Sequence, residues 1–117
     1  MNHFKRSEFA CKCGCGDDTM NPELLTILST IRTACNFPFI ITSAKRCVTH
    51  NKAVGGHPNS AHMKGEAVDI ACEHRRAGEI LTCAMMAEFT GIGVSQKGNS
   101  RFIHLDISHD TFKLWSY

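Results

Sequence analysis

From Ala44 to Lys64 the apolar patterning of the chain stops, and a run rich in Gly, Asn, Ser, Pro and His takes its place. Loops of this length inside a compact domain are usually functional rather than mere connectors. A chain of 117 residues leaves no room for a second core of useful size. The segments on either side of the loop are therefore read as parts of one domain, residues 1–117, that presents it. Only Val48 to Val54 within the loop has the spacing of a helical turn.

Before the loop, Asn21-Pro22-Glu23 combines a cap, a residue suited to the first helical position and a charge that complements the helix dipole. Leu24, Ile27, Leu28, Ile31 and Cys35 then recur at three- and four-residue spacing, which predicts a helix over 22–35. Phe39 to Thr42, between Pro38 and Ser43, favours a short strand. After the loop, residues 66–72 alternate as a strand with Ala67, Asp69 and Ala71 on one face. Ala77, Ile80, Leu81, Ala84, Met85 and Phe89 predict a second helix over 74–89, ended by Gly91, with Met85 and Met86 read as core. Residues 92–95 and 101–107 read as strands joined by a hairpin-like connector at 96–100, and His104 and Asp106 share one face of the second. Strands and helices in this order give an α+β class.

A net charge of +2 with scattered Lys and Arg offers no stripe for nucleic acid, and is compatible with an anionic polymer such as a cell wall. No apolar run approaches the roughly 18 residues of a bilayer span. Met1 to Glu8 is polar where a secretory signal needs an apolar stretch, so the expectation is synthesis into the cytoplasm. Reduced thiols are then the default for the seven cysteines. Cys35, Cys72 and Cys83 lie among apolar residues and read as small hydrophobes. Cys11, Cys13, Cys15 and Cys47 carry two readings, a structural zinc site or free or disulfide-forming thiols. Trp115 and Tyr117 read as packing residues, and His50 and His57 as surface histidines.

His62, Asp69 and His104 supply the residue types of an open zinc site, in which three protein ligands leave a fourth position for water. Seven histidines also leave open that His62 or Asp69 caps or braces a loop. The longer strings add weight. Ile41-Thr42-Ser43-Ala44-Lys45-Arg46-Cys47, Asn59-Ser60-Ala61-His62-Met63-Lys64-Gly65-Glu66-Ala67-Val68-Asp69-Ile70 and Phe102-Ile103-His104-Leu105-Asp106 together resemble the zinc D-alanyl-D-alanine carboxypeptidase family. The opening Ser7-Glu8-Phe9-Ala10-Cys11-Lys12-Cys13-Gly14-Cys15-Gly16 resembles its short members, many of them phage-encoded.

The resemblance implies an α+β domain related to lysostaphin-type peptidases and the hedgehog signalling domain, with an antiparallel sheet carrying the metal and two main helices packed on it. It implies that His62, Asp69 and His104 bind Zn2+ and that Arg46 holds a substrate carboxylate or carbonyl, a task suited to the planar guanidinium fork. Ser60 is a further substrate-binding candidate, weighed against a hydroxyl that serves its own backbone. Several relatives carry an acid three residues before the last zinc histidine, where this chain has Arg101. Asp106 is therefore expected either to act as the general base or to orient His104.

The implied activity is hydrolysis of peptidoglycan stem peptides, by a D,D-carboxypeptidase or an endopeptidase, in phage lysis with a holin-type partner releasing the enzyme to the wall. The alternative is a non-catalytic, zinc-stabilised wall-binding or structural module of the same fold. Nothing in the sequence sets an oligomeric state.

Overall fold

In the computed structural model, which describes residues 3–117, a short 3₁₀ turn at Arg6–Phe9 leads into helix α1, Pro22–Cys35. The Asn21 side chain accepts a bond from Glu23 N–H and Pro22 opens the helix, while Asn36 closes it in the left-handed conformation. Leu24, Leu28 and Ile31 form the buried stripe. Strand β1, Ile40–Ser43, helix α2, Val48–Ala53, and a 3₁₀ turn at Ala61–Lys64 follow. Then come β2, Ala67–Ala71, α3, His74–Met86, β3, Gly91–Ser95, β4, Phe102–Asp106, and β5, Lys113–Ser116.

The five strands form one sheet in the order β1-β2-β4-β3-β5. Pairings are antiparallel except at the β5 edge, where β5 runs parallel to β3. The expected all-antiparallel sheet is thus corrected at one edge, because the chain leaving β4 passes β3 before it pairs. Helix α3 packs on β4 and α1 packs on α3. Val68, Ile70, Ile103, Leu105 and Ile92 meet Leu24, Leu28, Ile31 and Ile80 in the core. Burial of each such side chain stabilises the fold by about 1.5–3 kcal/mol. Among the described residues no helix is long and apolar enough to cross a membrane.

Three expectations change. Helix α3 ends at Met86 rather than 89, since the backbone turns extended at Ala87 and carries Phe89 into the core. Gly91 begins a strand instead of closing a helix. Met85 and Met86 are exposed, not core.

Candidate metal centre

The sheet has two faces with different work. Val68, Ile70, Ile103 and Leu105 point into the helical core, and the alternate positions point the other way. On that second face a row of registered residues crosses the whole sheet: Ser43 on β1, Asp69 on β2, His104 on β4, Gly93 on β3 and Trp115 on β5. The neighbouring row is Ala67, Asp106, Gly91 and Lys113. Sheet register therefore places Asp69 directly beside His104, and His104 one step from Asp106.

His62 reaches the same spot from the 3₁₀ turn, where its own backbone N–H donates to the Ser60 side chain. Its Nδ1 lies 2.7 Å from the Ala44 carbonyl oxygen. A carbonyl can only accept, so Nδ1 carries the proton and Nε2 presents a lone pair. That Nε2 is 3.3 Å from Asp69 Oδ1. His104 Nδ1 is 2.9 Å from the same oxygen, and His104 Nε2 is 2.7 Å from Asp106 Oδ2. Asp106 is 2 % exposed, and its other oxygen accepts from both N–H and O–H of Ser108.

The donor atoms of His62, Asp69 and His104 all lie within 4.8 Å of one another. A tetrahedral zinc ion with bonds of roughly 2.0–2.2 Å separates its ligand atoms by about 3.3 Å. Two imidazole nitrogens and a carboxylate oxygen, each imidazole held at its far nitrogen by an acceptor, fit zinc in both chemistry and spacing.

Electrostatics concentrate here. Burial opposes a charged His104, but its bonds to Asp106 and Asp69 prevail and raise its pKa to about 9. Burial likewise opposes ionised Asp69, yet the bond from His104, with the His62 ring beside it, holds it well below the usual carboxylate range. Asp106 is lowered against its burial by the His104 bond, the Ser108 N–H and the nearby ring charges. A metal ion and a proton thus compete for one lone pair, that of His104 Nδ1.

Arg46 stands beside the triad with a guanidinium nitrogen 3.8 Å from Asp69 Oδ2. Its Nε donates to Ser43 Oγ and another nitrogen to Asn51 Oδ1, each at 3.2 Å. Buried Asn51 is itself fixed by the His57 carbonyl at 3.0 Å. The Ser60 hydroxyl accepts from His62 N–H at 3.2 Å, so its principal bond is to its own turn. Arg101 turns to the Gly98 carbonyl, away from the triad.

An open cleft of about 780 Å3 lies over these residues, with Arg46, Lys64, Lys113, His109, Trp115 and Tyr117 among its walls. Trp115 and Tyr117, read from the sequence as packing residues, instead line this cleft, and His109 is a functional-face residue that the sequence pattern did not single out. The Trp115 ring lies 5.3 Å from that of His104, and the His109 ring 6.0 Å from that of Trp115. Space for Trp115 comes from Gly93, where a Cβ would meet the indole at 2.6 Å. Gly91 does the same for Asp106, whose carboxylate oxygens would stand 2.5 Å from an added Cβ. The two glycines on β3, placed opposite a pair of potential site residues, were the available signal.

The model of the family Peptidase M15 matches residues 2–106. The chain belongs to the M15 peptidases. That family is the zinc D-alanyl-D-alanine carboxypeptidase group indicated by the sequence strings, and its members use zinc. The match spans every strand of this M15 domain except β5, and includes all three donors. A comparison with curated proteins returned no match.

Proposed function

We propose that this M15 domain is a zinc-dependent hydrolase of peptidoglycan stem peptides, acting as a D,D-carboxypeptidase or an endopeptidase. The observation that carries the reading is the convergence of His62 Nε2, Asp69 Oδ1 and His104 Nδ1 beside Arg46 in an open cleft. Zinc bound by these three residues would polarise a peptide carbonyl and activate water. Arg46, braced by Ser43 and Asn51, receives a substrate carboxylate or carbonyl through its planar fork. Lys64 and Lys113 add positive charge to the walls, which favours the carboxylates of a stem peptide.

The geometry at Asp106 supports the orienting role over that of general base. Its Oδ2 holds His104 Nε2 and its Oδ1 holds Ser108, so both oxygens are engaged on the side of His104 away from Asp69. For proton transfer the reading turns to His109, a cleft residue outside the donor triad whose Nε2 lies 3.5 Å from Asp106 Oδ2. An imidazole can accept and return a proton. The setting we propose is lysis of a bacterial wall by a phage enzyme, with a holin-type partner giving it access.

Purified peptidoglycan incubated with the protein, with and without chelator, tests the reading. Release of stem-peptide products that stops on chelation and resumes with zinc is expected. Wall binding with no product at saturating zinc would favour the non-catalytic module, the alternative kept alive by Arg101 at the position of the relatives' acid.

A further inference from the structure

On the opposite side of the Arg46 segment four sulphur atoms meet. Cys11, Cys13, Cys15 and Cys47 lie with their Sγ atoms all within 4.8 Å of one another. Three of the separations are 3.4 Å for Cys11–Cys13, 3.8 Å for Cys11–Cys47 and 3.6 Å for Cys13–Cys47. A tetrahedral zinc ion with Zn–S bonds of roughly 2.3 Å sets its sulphurs about 3.8 Å apart. A disulfide would draw one pair to roughly 2.05 Å and leave no reason for the other two thiols to join it. We propose that these four cysteines hold a structural zinc ion that fastens the amino-terminal segment to the loop carrying Arg46.

The backbone is arranged for thiolates. Cys47 N–H points at Cys11 Sγ and His50 N–H at Cys47 Sγ, each at 3.4 Å. The Cys11–Gly16 coil turns three sulphurs inward at two-residue spacing, which requires the positive φ of Gly14 and Gly16, +87° and +84°. Thiolates select zinc over the hard cations that prefer oxygen ligands. Binding forms Zn–S bonds to the four cysteines and releases the thiol protons to solvent.

The consequence for the other centre follows from the hydrogen bonds of four consecutive residues. Ala44 accepts from His62 Nδ1, Lys45 N–H donates to Phe9 O, Arg46 N–H donates to His62 O, and Cys47 N–H points at Cys11 Sγ. The segment 44–47 is gripped alternately by the His62 turn and by the amino-terminal hook. A metal closing the hook fixes where Arg46 and His62 stand.

A His62→Ala/His104→Ala variant isolates the cysteine site. It is expected to retain about one zinc per chain, and its cobalt form to show thiolate-to-metal charge-transfer absorption. Cys13→Ser/Cys15→Ser, with the histidines intact, is expected to keep about one ion and lose that absorption. If the histidine variant does not fold, the unaltered protein decides: organomercurial titration of its thiols should free about one zinc per chain, read with a chromogenic chelator. No zinc freed by thiol modification, no sulphur-to-cobalt absorption, or a disulfide between any two of the four in zinc-saturated protein would each overturn the proposal. None of these readouts depends on hydrolysis, so the site stands or falls apart from the peptidase reading.

Discussion

His104 donates from Nε2 to Asp106 over 2.7 Å, and this one bond decides which nitrogen of the ring faces Asp69. An aspartate two residues on along β4 thus serves as the lock of a tautomer. Gly91, across from Asp106 in the register, leaves the room it needs.

Replacing Asp106 by Asn exchanges a carboxylate that can only accept for an amide that can also donate, and so unlocks the His104 tautomer. Zinc affinity is expected to fall by roughly 10–100-fold, as for other groups that orient a metal-bound histidine. Hydrolysis should fall in step with zinc occupancy and be largely restored at high zinc. Unchanged zinc affinity with abolished hydrolysis would instead return Asp106 to the role of base. His109→Ala is the counterpart, expected to keep zinc and lose hydrolysis.

Arg46→Lys keeps the charge and loses the fork. We expect a higher KM with metal content unchanged, measured by steady-state kinetics on a stem-peptide substrate. An unaltered KM would place substrate binding elsewhere in the cleft.

The triad also has a pH signature. His104, ordinarily at 6.5, is raised to about 9. Its stabilising contribution is therefore complete below about pH 6.5 and is lost as pH rises through about 9. Asp69 is depressed, so its contribution is present above about pH 3.8 and disappears only under strong acid. Chelator-treated protein should lose Tm across the window from 6.5 to 9, while zinc should bind more tightly with rising pH as the competing proton leaves. A Tm that climbs through that window on chelated protein would contradict the ion-pair description.

Trp115 is the sole tryptophan and its ring neighbours that of His104. Zinc addition should change its emission. Gly93→Val should displace the indole, destabilise the fold by about 1–3 kcal/mol through overpacking, and blunt the fluorescence response to zinc. A full response in that variant would mean Trp115 does not report on the centre.

Much of this was legible in the chain, for reasons that differ by element. The cap at Asn21, Pro22 and the Leu24–Leu28–Ile31 stripe are local signals, and α1 runs over the expected residues. The donor triad was visible because its residue types sit in long strings, and the period of a strand placed Asp106 on the His104 face. Strand β5 was not visible, since Lys113–Ser116 is four residues long, mostly exposed, and pairs parallel to β3, whose far edge the chain reaches only by crossing over from β4. Without β5, Trp115 had no visible route to the centre. Gly91 and Gly93 read as punctuation because their purpose is the space above them, which depends on residues 15 and 22 positions away. Met85 and Met86 fit a helical stripe in number, but the helix ends there and turns both outward so that Phe89 can enter the core.

The most direct measurement is anomalous diffraction at the zinc edge from crystals grown with saturating zinc. A peak is expected within roughly 2.0–2.2 Å of His62 Nε2, Asp69 Oδ1 and His104 Nδ1. Density-free space between those atoms, or a peak bound by other residues, would contradict the assignment of this centre and the hydrolase reading built on it.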